Sequence, residues 1–178
     1  MPTNDLTNDK YVVNSALEII FTEIKVLVPE LEIIDVFSDG AASQFKQRFM
    51  FRNLVQLARD FLFDLTWNFF GTSHGKGVVD GIGGTVKRLV WGSVLAGQTC
   101  RSAEDFVRIA KQKTNKITLV ELTKNDIDAS KNKLQNIFAV VKAVPKTLKT
   151  HCIKVIDNKV IECKYYSEGS RKRIIRYN

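Results

Sequence analysis

The sequence predicts an α/β fold in which three helices alternate with two strands and a small β-rich tail follows. Three observations carry that expectation. Apolar residues recur at three- and four-residue steps over 10–28, two short runs rich in β-branched and aromatic residues (31–37 and 63–70) interrupt the helical period, and strand-like runs return near the C-terminus. Alternation of this kind argues for a mixed or parallel sheet covered by helices.

In chain order, Val13, Ala16, Leu17, Ile20, Ile24 and Leu27 give the first helix one buried face, and Pro29 closes it. LEIIDVF (31–37) predicts a buried strand ending in the turn Ser38-Asp39-Gly40. From 42 to 59, Phe45, Phe49, Leu54 and Leu57 alternate with Lys46, Arg48, Arg52 and Arg59, which predicts a second helix with a basic outer face. FDLTWNFF (63–70) predicts a strand running into the glycine-dense loop GTSHGKG (71–77). A third helix is expected over 78–95, although Gly81, Gly83 and Gly84 each cost about 1 kcal/mol there against alanine, so a close backbone approach is expected at them. Residues 102–112 predict a helix capped by Ser102, 117–122 a brief strand, and 126–138 a polar helix. The runs 150–156 and 159–166 around Asp157-Asn158 predict a hairpin, with the final GSRKRIIRYN loose. Two regions are expected, a core over 1–112 and a helix with a basic β-hairpin tail over 113–178.

A chain of 178 residues with 44% hydrophobic content supports one packed core with an appendage. Its formal charge of +8 is unevenly placed: from Lys142 to the end, ten Lys or Arg stand against Asp157, Glu162 and Glu168. A basic tail favours an anionic partner, nucleic acid first and an acidic membrane surface second. No window approaches the roughly 18 apolar residues of a membrane span, and no signal-like start is present, so no membrane partner and a nuclear or cytoplasmic location are expected. Cys100, Cys152 and Cys163 fit neither a disulfide framework nor a zinc motif, which points to a reducing compartment.

Asp39, at the carboxyl end of a strand, occupies the position where open α/β sheets place ligands. Asp80 opens the third helix, so two carboxylates could meet at one sheet edge and hold Mg2+ or Mn2+ for phosphoryl transfer. The same residues admit a structural role, Asp39 starting an Asp-Gly turn and Asp80 capping a helix. GTSHGKG resembles a phosphate loop but fails its spacing, since three residues separate Gly71 from Gly75 and Gly77 stands where Ser or Thr is required. His74 and Lys76 could still touch a phosphate, and Lys46, Lys87 and Arg88 could follow a nucleic-acid backbone. Two histidines and three scattered cysteines assemble no nucleophilic triad, and the free cysteines look structural.

FSDGAASQFKQRF (37–49) together with WNFFGTSHGKGVVDGIGGTVKR (67–88) resembles transposable-element-derived proteins of invertebrate genomes. Those proteins look like cut-and-paste DDE/D transposases with an RNase H-like catalytic fold. The likeness covers about residues 31–110 and, more loosely, VPKTLKTHCIKV and KYYS in the tail. It implies a partial RNase H-like core of helix, strand, helix, strand and helix, with Asp39 and Asp80 as catalytic metal carboxylates, His74 as an auxiliary and Mg2+ or Mn2+ as cofactor. In such folds a three-stranded unit carrying the first carboxylate precedes the first helix. Here only about nine polar residues do, so that unit and its carboxylate are expected to be absent.

The resulting expectation is a transposase-derived fragment, catalytically incomplete, that retains nucleic-acid binding, with DNA as partner. A further chain is expected over the sheet edge and apolar face that the missing strands leave open. The alternative is a non-catalytic DNA- or RNA-binding protein in which Asp39 and Asp80 are structural. A small phosphate-ligand enzyme using GTSHGKG ranks last, because of the spacing failure.

Overall fold

The computed structural model describes residues 10–41, 44–70, 77–166 and 170–177. The described elements are α1 (Lys10–Leu27), β1 (Ile33–Ser38), α2 (Arg48–Phe61), β2 (Asp64–Phe69), α3 (Val78–Leu95), α4 (Ala103–Lys113), α5 (Lys124–Ala139), β3 (Cys152–Asp157), β4 (Val160–Lys164) and β5 (Lys172–Arg176), with a 3-10 turn at Thr147–Lys149. The protein is mixed α/β. Its chain divides into two compact units, residues 1–75 with 124–178, and residues 76–123. The contacts thus divide the chain elsewhere than at 112/113, because the strands after residue 150 complete the sheet that β1 and β2 begin.

In the larger unit the strands lie in the order β1-β2-β3-β4-β5, with β1 parallel to β2 and every later pairing antiparallel. Leu65 and Trp67 of β2, Ile153 of β3 and Ile161 of β4 alternate toward one face, where they meet Phe21 of α1 and Leu54 of α2 in the main core. Phe21 sets its ring edge-on to Phe61 and Phe63, with centroids 5.6 and 5.5 Å away. On its other flank α1 packs on α5: Tyr11 stacks on Phe138, Asn14 Nδ2 donates to Ser130 Oγ at 2.6 Å, and Ser15 Oγ donates to the Asp126 carbonyl at 3.0 Å. Lys133 of α5 bridges Glu18 of α1 at 2.6 Å and Asp60 of α2 at 2.8 Å.

Four expectations need correction in this unit. β1 is an edge strand, not a buried one: Ile34 and Val36 face the core, whereas Ile33 is 64% and Phe37 58% exposed. A short apolar run does not reveal how many neighbours a strand has. α2 begins at Arg48, and it is buried on most sides between α1 and the sheet, with Met50, Phe51, Asn53 and residues 54–58 all buried, so no continuous basic outer face forms. Arg52 sits over the Tyr177 ring at 5.4 Å. The final segment is not loose: Lys172–Arg176 forms β5, with Ile175 turned to the core and Lys172, Ile174 and Arg176 outward. The hairpin itself is present, turning at Asn158-Lys159 between β3 and β4.

In the smaller unit, Val86 and Val90 of α3 close a core with Ile109 and Ala110 of α4. Ser102 caps α4, its Oγ accepting the Asp105 N–H at 3.1 Å, while Asp105 Oδ2 accepts the Arg101 N–H at 3.0 Å. Residues 117–122 form no strand, because they find no pairing partner; Ile117 and Leu119 pack on the α3/α4 core instead. Nothing among the described residues approaches within 4 Å of a β-carbon placed at Gly81 or Gly83, so no close neighbour of those two explains their cost to the helix.

Candidate nucleic-acid interface at one end of the sheet

The parallel pair β1/β2 and the antiparallel strands beyond it bring five chain crossings to the same end of the sheet. β1 and β2 finish there, with the Phe70 N–H bonding the Ser38 carbonyl at 2.9 Å; β3 starts there, with the Phe69 N–H bonding the His151 carbonyl at 2.9 Å. The His151 N–H in turn bonds the Lys164 carbonyl at 2.9 Å, and Lys164 pairs with Lys172 of β5. Tyr165 and Tyr166 leave β4 at this end, and Arg171 enters β5 there.

These crossings enclose a groove of about 560 Å³ lined by Lys146, Leu148, Lys149, His151, Tyr165, Tyr166 and Arg171. Among the described residues no carboxylate lines it, and no described salt bridge involves Lys146, Lys149 or Arg171. The Tyr165 ring is faced by two guanidinium groups, Arg171 at 5.9 Å and Arg173 at 5.8 Å. His151 and Tyr166 stack nearly parallel, 9° between planes and 6.1 Å between centroids. Arg173, rooted on β5, holds the turn that presents the lysines: it donates to the Pro145 carbonyl, to the Lys146 carbonyl at 3.5 Å and to Thr150 Oγ1 at 3.3 Å. Lys146 is one of two described non-glycine residues in the left-handed region, at φ 57°.

The residues singled out from the sequence fall differently. Asp39 is exposed at the end of β1 and accepts the Ala41 N–H at 3.4 Å, the geometry of a turn-forming aspartate. Asp80 is exposed in the first turn of α3, where a carboxylate suits the helix N-terminus. The two stand in different units. Lys46 is only 7% exposed; its Nζ donates to the Leu148 carbonyl at 3.3 Å and lies 5.0 Å from the Phe69 ring centre, and burial lowers its pKa. It ties the segment before α2 to the 147–149 turn. Lys87 is exposed on α3, as is Arg88, which donates to Thr85 Oγ1 at 3.2 Å. His74 and Lys76 lie outside the described residues.

The resemblance implies Mg2+ or Mn2+, yet among the described residues no group of three or more His, Cys, Asp or Glu side chains could hold a metal ion. Asp39, one exposed carboxylate engaged in its own turn, is a single donor. The described donors do not fit a divalent-cation site. Burial pushes the Cys163 thiol up to about 12 and raises that of Cys152, so neither supplies a thiolate near neutral pH. No described helix is long and apolar enough to cross a membrane.

The sequence signal that could have found the groove was the tail's own composition: KYYS and RKR flank it, and KTLKTH supplies its lysines and histidine. Only the pairing of β3, β4 and β5 brings those three pieces together. No curated protein and no solved structure matches the chain. Residues 1–167 match the family described as a domain of unknown function (DUF8701), and the chain belongs to that family.

Proposed function

We propose that this chain is a nucleic-acid-binding module descended from a DDE/D transposase with an RNase H-like core, catalytically incomplete, and that it binds DNA through the basic, aromatic end of its sheet. The observation that carries the reading is the groove itself, in which cations from three chain segments converge around two tyrosines with no described acid among them. Phosphate contacts from such a cluster supply affinity, and aromatic faces interleaved with them suit bases. The order α1, β1, α2, β2, α3 with β1 parallel to β2 supports the transposase-like descent. So does Asp39 at the end of β1, the position the resemblance gives to a carboxylate. The described donors, which form no carboxylate cluster, support incomplete catalysis, since phosphoryl transfer depends on metals held by several carboxylates.

The test is binding of labelled DNA to the whole chain at several salt concentrations. With Lys146, Lys149 and Arg171 each meeting a phosphate, the logarithm of the affinity falls with that of salt at a slope of about −2 to −3. Substituting Lys149→Gln makes the slope shallower by about one. Salt-independent binding, or none, overturns the reading. A second reading, a DNA- or RNA-binding protein with no catalytic ancestry in which Asp39 is purely structural, is favoured by its bond to the Ala41 amide. On the transposase reading the open edge of β1, paired only with β2 among described residues, is where a further chain would add strands.

A further inference from the structure

We infer that the groove takes single-stranded DNA, with one unpaired base stacked on the ring of Tyr166 and the flanking phosphates on Lys146, Lys149 and Arg171. This rests on the nucleic-acid reading above and adds which form of the polymer the site accepts.

The argument begins with the two tyrosines, which are adjacent in sequence and opposite in circumstance. Tyr165 has its ring engaged by Arg171 and Arg173, so it orders cations and leaves little free face. Tyr166 is 72% exposed. Its ring lies parallel to His151, whose backbone is held on both sides, through its carbonyl to Phe69 and its N–H to Lys164. A tyrosine stacked on one side against a histidine whose backbone is anchored is a pre-set platform, so ordering it on binding costs little side-chain entropy.

Size and charge then choose the ligand. A groove of about 560 Å³ admits one nucleotide and its phosphates but not the width of a duplex. In a duplex the faces of each base are covered by its neighbours, so the ring of Tyr166 can be used only by a base that is already unpaired or drawn out of the stack. The lysines sit on the 146–149 turn and Arg171 sits at the start of β5, on different segments of the groove wall, which suits a backbone passing across it. Arg173 positions that wall by holding the Pro145 and Lys146 carbonyls.

Fluorescence anisotropy on the full chain tests this, using a labelled oligo-dT of about 12 nucleotides, a duplex of the same length, and thymidine monophosphate as competitor. The expected result is a preference of about tenfold or more for the single strand. Tyr166→Ala weakens single-strand binding about tenfold, equivalent to one stacked base, and leaves duplex binding unchanged. Tyr166→Trp restores the affinity, and its fluorescence is quenched when the strand binds. Because the ring is largely exposed, the folded state survives either change, which thermal melts of the variants verify. Equal binding of strand and duplex, both insensitive to Tyr166→Ala, overturns this inference and leaves the nucleic-acid reading standing. Loss of binding to all DNA forms overturns both. Competition by thymidine monophosphate as tight as that of the strand makes the groove a mononucleotide site and overturns the inference as stated.

Discussion

Lys46 Nζ donates to the carbonyl of Leu148 across 102 positions of sequence, tying the segment before α2 to the turn that carries Lys146 and Lys149. The bond is made by a cation with little water around it, so losing it leaves the Leu148 carbonyl short of a partner. Replacing Lys46 by Met keeps most of the packing and removes the bond; stability in urea unfolding falls by about 1–2 kcal/mol. DNA affinity at low denaturant changes little, since the ammonium does not line the groove. A large loss of affinity with unchanged stability would show that Lys46 meets phosphate directly.

Lys46 also marks where the sequence stopped being legible. Its one-dimensional context, FKQRF, has the alternation of a half-exposed helix, and nothing local says that a turn a hundred residues later will cover it. The first four helices and the first two strands were readable because each carries its own period and several their own punctuation: Pro29 after α1, Gly71 after β2, Ser102 before α4. Non-local pairing was not. β5 escaped because KRIIR is short and turns only Arg173 and Ile175 inward, a pattern that matters only once β4 lies beside it. The groove failed for the same reason. Its aromatic and basic residues look like a solvated tail until three strands bring them to one end of a sheet.

Leu62 closes α2 in the left-handed region, φ 55° and ψ 45°, with Phe63 N–H bonded to the Ala58 carbonyl at 2.9 Å. Glycine is the usual occupant of this position in such a helix end. Leu62 is 80% exposed and so gains little from burial, while its β-carbon carries the strain. Substituting Leu62→Gly stabilises the protein by about 0.5 kcal/mol, the relief of strain being partly offset by the freer unfolded chain. Leu62→Ala, which keeps the β-carbon, gives no comparable gain. Urea midpoints of the two variants decide it.

Acid should loosen the sheet and the α1–α2–α5 junction together. Burial pushes the Asp60 carboxyl up, but hydrogen bonds from Lys133 and Gln56 outweigh it and hold it below the usual carboxylate range. The hydrogen bond from Lys172, against some desolvation, does the same for Glu162, whose Oε2 lies 2.9 Å from that ammonium. A carboxyl whose folded pKa is depressed stabilises the native state above its unfolded value, near pH 4, and loses that contribution as pH falls through the folded value. The urea midpoint therefore drops between about pH 4.5 and pH 2.5. In Lys133→Met the drop is smaller, because Asp60 then titrates closer to its unfolded value. An acid limb identical in the variant would remove Asp60 from the account.

Arg173 supports the groove without lining it, so its loss separates positioning from contact. Its guanidinium reaches the Lys146 carbonyl at 3.5 Å and Thr150 Oγ1 at 3.3 Å, besides the Pro145 carbonyl, and so holds the turn that presents Lys146 and Lys149. Arg173→Lys keeps the charge but cannot fork to several acceptors. It is expected to weaken DNA binding several-fold while leaving the salt slope unchanged, since the number of phosphate contacts is the same. A shallower slope would instead place Arg173 itself on a phosphate.

The carboxylates give the sharpest test of the proposed transposase ancestry. Asp39 accepts the Ala41 N–H and Asp80 sits in the first turn of α3, each with a local role complete in itself. A divalent ion needs several oxygen donors fixed at once, and one exposed carboxylate with solvent supplies only weak, nonspecific attraction. Calorimetric titration with Mn2+ is therefore expected to give binding no tighter than about millimolar, the same for the native chain and for the Asp39→Ala/Asp80→Ala double variant. The double variant should also bind DNA as the native chain does, and lose only the small stability of a turn and a helix N-terminus, about 1 kcal/mol together. Tight Mn2+ binding abolished in the double variant would mean that the two aspartates do meet around a metal, and a strand-cleavage assay would then decide whether the chain cuts DNA.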